Sequence, residues 1–340
     1  MPKPHSVSLA SMLAGFILPV AAQSSQSPKG LAATSIPQYV LDYAPLVWLH
    51  SNEDHFPSDI GQQLVHTTPM VDWEPIGAAP SPDTLNNLNM LNGLTDATVY
   101  LTSKEGIDAD PQPEWFHGVE PDANGKTGDA ITSVIITRDH GNGILDAFYF
   151  QFYAFNDGTI VLGMEFGAHV GDWEHNMVRF ENGEPTAVWF SQHSGGQAFT
   201  YDAVEKQGKR PYAYSADGSH AVYAIAGDHG HAIPNVNLPG GIVVDHTDRG
   251  TLWDPTLSAY AYSYDASSDE FHPYDDSYPV DWLYFAGRWG DDTLPGGPGI
   301  FGEKKYVAGP TGPKFKELKR ADICPSDPCD VLPFLIWKKV

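Results

Sequence analysis

"DWEHNMVRFENGEPTAVWFSQHS", residues 172–194, carries two alternating runs on either side of Asn182-Gly183. Alternation is the period of a β-strand, and Asn-Gly between two such runs signals a type I′ hairpin turn. With a two-residue turn, Glu181 faces Glu184, Asp172 lies opposite His193, and Glu174 lies opposite Ser191. Opposed residues share a face. Asp172, Glu174 and His193 are therefore expected together, with Trp173, His175, Phe190 and Gln192 on the reverse face. One extra residue at the turn would move one strand's side chains to the other set.

The preceding segment repeats the pattern. "AITSVIIT" (130–137) leads into "DHGNG", and "ILDAFYFQFYAF" (144–155) leads out, a hairpin with a glycine turn. The second run has aromatic side chains on both faces, as expected of a strand buried on both sides. Heavy punctuation by 33 Gly and 28 Pro, with few helical periodic runs, favours short strands joined by turns. The expected fold is an all-β antiparallel sandwich with long loops, at 76–90, 104–128 and 265–280, and a few short helices. An open mixed fold with a helix near "DAVEKQG" (202–208) is the alternative.

Residues 1–22 read as a signal peptide with cleavage after Ala22, residues 23–36 as a flexible lead-in, and residues 37–340 as a single domain. No later run approaches the ~20 apolar residues of a membrane span. Cys324 and Cys329 are the only cysteines, and in an oxidising compartment they are expected to close a small disulfide loop. A net charge of −24 opposes binding to nucleic acid or anionic membranes. Secretion or delivery to the vacuolar lumen fits these features.

Ionisable groups gather between 169 and 254. His220 heads an apolar run, His229 and His231 have same-face strand spacing, and Asp245, His246, Asp248 and Asp254 follow. Imidazoles and carboxylates converging in a cleft could bind a divalent metal. His169, His175 and His229 are the candidate ligands. Alternatively, carboxylates could do acid–base work on a sugar or small metabolite. Asp172, Glu174, His193, His220 and Asp245 are the candidates there, with Trp173, Trp253 and Asp248 contacting substrate. Histidines and carboxylates that only bond one another across a sheet are the plainer alternative. A serine nucleophile at "SQHSGG" (191–196) lacks the G-x-S-x-G elbow.

"YAPLVWLHSNEDHFPSDI" (43–60), "FGAHVGDWEHNMVRF" (166–180), "GSHAVYA" (218–224) and "DHTDRGTLWDP" (245–255) together resemble the Vps62 family over roughly residues 40–300. "DHGNG" departs from the family at His140, in a turn. The resemblance leaves three classes open: a secreted enzyme on a glycan or small metabolite, a carbohydrate-binding module, or a luminal sorting or structural factor, and a signal peptide without a membrane anchor fits all three.

Overall fold

In the computed structural model, which describes Met1 and residues 35–81, 83–161, 164–231, 243–294 and 304–335, the two Asn-Gly turns build the centre of the fold. The strands that matter are β1 (Leu46–Trp48), β2 (Ser133–Gly141), β3 (Ile144–Asn156), β4 (His169–Glu181), β5 (Glu184–Gln192), β6 (Gly195–Thr200) and β7 (Arg210–Ser215). After them come β8 (Val222–Tyr223), β9 (Gly227–His231), β10 (Val243–Thr247), β11 (Leu252–Trp253), β12 (Ala259–Asp265), β13 (Glu270–Pro273) and β14 (Val331–Leu332). Asn142 and Asn182 have φ of 55° and 53°, and Gly143 and Gly183 follow at 81° and 85°. Both central residues of each turn thus sit at positive φ, as a type I′ turn requires.

The main sheet runs β13–β12–β2–β3–β4–β5–β6–β14. It is antiparallel except where β12 meets β2 and β14 meets β6. A second sheet has β7 at its centre, with β1, β8 and a short Lys206–Gln207 strand around it and β11 beyond β1. The two sheets meet across Tyr149, Val178 and Phe190 on one side and Val47, Ala213 and Trp253 on the other. The opposite face of the main sheet packs Phe148, Phe150, Phe152, Trp173 and Trp189 against Trp282 and Trp289. The central strands are buried on both faces, and each buried Phe there contributes roughly 1.5–3 kcal/mol relative to an exposed one. The fold is all-β and sandwich-like, and residues Ala32–Val340 cluster as one compact unit.

Three local expectations need correction. The hairpin at 182–183 starts in the expected register, Glu181 with Glu184 and Phe180 with Pro185, but a bulge follows, and Ala187 pairs with Arg179. The extra residue, Thr186, moves Phe190 opposite Asn176. Phe190 therefore packs with Val178 and Val188 between the sheets, not with Trp173 on the reverse face. The 265–280 stretch is not all loop: Asp265 pairs with Glu270 and Tyr262 with Pro273. Near 202–208 the chain makes a 3-10 turn at Tyr201–Ala203 and then the Lys206–Gln207 strand, not an α-helix. Cys324 and Cys329 form the disulfide. The proposed signal peptide and most of the lead-in lie outside the described residues.

Candidate functional site

At one end of the sandwich the apolar interior gives way to buried polar side chains. β4 supplies Asp172 and Glu174 to the face between the sheets, where Asp172 pairs with Tyr153 and Glu174 with Gln151 of β3. Gly171 fixes where this stretch lies. It has φ of 68°, and a Cβ there would sit 2.1 Å from the Trp289 carbonyl oxygen, so only glycine admits this approach. Past the last β4–β5 pair, the Ser191 hydroxyl donates to Glu174 and accepts the His175 N–H at 3.0 Å.

His193 stands in the β5–β6 turn at φ 51°. Its Nε2 lies 2.7 Å from Asp245 Oδ2 of β10. Asp245 also accepts from Tyr223 at 2.6 Å and from Ser219 at 3.0 Å, which holds the carboxylate against the imidazole. The His193 side chain is 33% exposed, whereas Asp245 is 2% exposed. His220 is fully buried, with Nδ1 3.1 Å from Asp172 Oδ2 and Nε2 3.0 Å from the His55 carbonyl oxygen. Glu53, near His220, accepts the His55 and Gly218 amides. A cleft of about 360 Å³ opens beside the cluster, lined by Glu53, His55, Asp157, Asp217 and Asp245 among others.

The electrostatics separate the two carboxyls of β4. Burial pushes Glu174 up, the neighbouring Asp172 charge pushes it further, and it reaches about 8. Asp172 is as deeply placed, and burial works against its charge. The His220 hydrogen bond and the nearby imidazoles nevertheless hold it below the usual carboxylate range. Burial opposes a charge on His193 too, but its bond to Asp245 raises it. At neutral pH the site thus holds a protonated carboxyl, an ionised one, and an imidazole anchored by a third carboxylate. Such a set can both donate and accept protons.

Not every candidate joins this cluster. Trp173 and Trp253 are 1% and 0% exposed, in different cores, so neither offers a ring face to a sugar from solvent. Asp248 bonds Ser51 through its amide and hydroxyl, outside the cluster. His175 projects to the reverse face, against Phe150 and Arg320. His229 stacks on Tyr223 and bonds Thr247, and His169 bonds the Gly171 carbonyl oxygen. These three are dispersed, and among the described residues no three His, Cys, Asp or Glu side chains are arranged as a metal site. Conversely, Glu53, Tyr153, Asn156 and Tyr223 hold the cluster together without having been singled out in the sequence. The dense "SNEDHF" run after β1 is the signal that points to Glu53.

The family model described as "Vacuolar protein sorting-associated protein 62" matches residues 124–293. That span holds Asp172, Glu174, His193, His220 and Asp245 but not Glu53. Two curated relatives come from Saccharomyces cerevisiae. "Putative vacuolar protein sorting-associated protein TDA6" is 36% identical over 325 residues, and "Vacuolar protein sorting-associated protein 62" is 35% identical over 322. Each match covers 85% of this chain and 68% of the relative. A solved structure titled "Crystal structure of non-toxic HaNLP3 protein" aligns at a TM-score of 0.30 with 12% identity, over 68% of this chain and 77% of that one. At that score the likeness says nothing further about this chain.

Proposed function

The chain belongs to the Vps62 family, and from that premise we propose that it is an acid–base enzyme, a hydrolase or lyase acting on a glycan or small metabolite in the secretory route or vacuole. One observation carries the reading: Glu174, pushed up to about 8, shares a site with a His193 anchored by Asp245. The acid is Glu174, and the partly exposed His193 is the proton acceptor. Asp172 supplies a fixed negative charge that stabilises developing positive charge. Trp173 and Trp253 are buried, so neither supplies a stacking surface for a carbohydrate-binding role. No helix among the described residues is long and apolar enough to cross a membrane.

The test is turnover of a panel of aryl glycosides, oligosaccharides and small acyl compounds by the purified protein. Activity is expected to fall on the alkaline side as Glu174 ionises. Glu174→Gln and His193→Ala should each lower kcat/KM by about 10²–10⁴-fold. Turnover retained in full by both variants would sink the reading. The relatives' names favour a second reading, a role in vacuolar sorting itself. In that case Glu174→Gln would restore delivery of a vacuolar reporter in cells lacking the protein.

A further inference from the structure

We propose that His220 is a positioning residue carrying a permanent charge, a buried imidazolium clamped between Glu53 and Asp172 that decides which carboxyl of β4 stays ionised. The hydrogen-bond pattern is the warrant. Nδ1 faces the Asp172 carboxylate at 3.1 Å, and Nε2 faces the His55 carbonyl oxygen at 3.0 Å, with Glu53 Oε1 3.7 Å away. All three neighbours are acceptors. A neutral imidazole has one N–H and one lone pair, so in that form one nitrogen would aim its lone pair at an acceptor. Asp172 also takes the Asn156 amide on the same oxygen, as suits an ionised carboxylate, and against an ionised Asp172 only the doubly protonated ring satisfies both directions.

The surroundings fix the ring in place. Tyr153 stacks on it at 3.7 Å and 5° between planes. The backbone holds a left-handed φ of 56° at His220, and its amide bonds the Ala216 carbonyl oxygen at 3.0 Å. Glu53 receives only N–H donors, from His55 at 2.8 Å and Gly218 at 3.1 Å, as suits an ionised carboxylate. Asp172 receives a further donor from Asn156 at 3.3 Å. Among ionisable groups, Glu53, His55, Tyr153, Asp157, His169 and Asp172 surround the ring or act on it electrostatically. Burial works against a charged ring, but Glu53 and then Asp172 raise it to about 10.

The consequence reaches Glu174. With His220 charged, Asp172 keeps its negative charge, and a second negative charge two residues along the same strand face is opposed. Glu174 keeps the proton. This link to catalysis rests on the acid–base reading above. The charge state of His220 does not.

The test is NMR on the full chain with ¹⁵N-labelled histidine and ¹³C-labelled carboxyls. His220 should show both ring nitrogens protonated from about pH 5 to about pH 8, where an ordinary histidine titrates. A single tautomer at neutral pH, or an ordinary midpoint, overturns the proposal whatever the enzyme assays give. In His220→Gln, Asp172 should take up a proton near neutral pH, and the Glu174 midpoint should fall by about one unit or more. Both midpoints unmoved in a folded variant would refute the link. Should that variant not fold, Glu53→Gln makes the same point: the His220 midpoint is expected to fall by about one unit or more, and an unchanged midpoint overturns the clamp.

Discussion

His175 and His220 are both buried, at 6% and 0% exposure, and they lie on opposite sides of the same sheet. Burial alone would neutralise both. Yet His175 Nε2 faces the Arg320 guanidinium at 3.3 Å, a group that only donates, so that nitrogen must be an acceptor. Burial, then Arg320 and Lys316, push His175 well below the usual range. His220 faces acceptors and stays charged. The neighbours' hydrogen-bonding character, rather than depth, sets the sign. One face of β4 therefore has a polar site held by charge, and the other a core with a neutral imidazole packed in it.

The largest effect that could break this contrast is on stability. His220→Leu leaves Glu53 and Asp172 buried without their common cation. Removing one partner from a buried ionic group costs about 3–5 kcal/mol, and urea denaturation at neutral pH should read a loss of that size. A loss under about 1 kcal/mol would mean that the ring carries no charge.

The second effect is a pH dependence. Glu174 has a folded value of about 8 against 4.5 for an ordinary glutamate. A raised group stabilises the fold fully below its unfolded value, and that contribution is lost as pH rises through the folded one. Between pH 5 and 8 the wild type should lose up to about 1.4 kcal/mol per pH unit from Glu174. His220 adds a decline of the same sign above 6.5, up to about 10. Asp172 and Glu53 are lowered, so their contributions are lost only in acid, outside this window. The difference between Glu174→Gln and wild type isolates the carboxyl. It should swing on the order of 2–4 kcal/mol in the variant's favour from pH 5 to pH 8. A flat difference would mean that Glu174 is ionised in the fold throughout.

Much of this arrangement is legible in the sequence, and the boundary is physical. The period-2 runs and the two Asn-Gly turns place β2 with β3 and β4 with β5, and the alternation separates Asp172 and Glu174 from Trp173 and His175. Phe190 escapes because alternation counts residues and a bulge adds one. Pro185 is the warning: proline cannot donate to the ladder, so inside a central strand it signals a bulge. The charge of a buried histidine escapes for another reason. The groups that decide it are far along the chain, His55 165 residues from His220 and Arg320 145 residues from His175. Only the closed sandwich brings them together.

The smallest expected effect is at His175, and its sign is the sharper check. Glutamine can replace the imidazole as an acceptor for Arg320, which also donates to the Lys316, Glu317 and Ile323 carbonyl oxygens. What is lost is mainly the packing on Phe150, rings 5.1 Å apart. His175→Gln should therefore cost about 1 kcal/mol at pH 8, in the range of an ordinary substitution. As pH falls below 6.5, the unfolded wild-type chain takes up a proton at His175 that the fold refuses, so the wild type loses stability there and the variant does not. The cost of the substitution should shrink, then reverse, towards pH 5. At His220 the linkage runs the other way, because the fold keeps a proton that the unfolded chain releases. Urea midpoints for His175→Gln at both pH values decide the matter: a cost that grows in acid would mean that His175, like His220, is charged inside the protein, and the two faces of β4 would then differ only in packing.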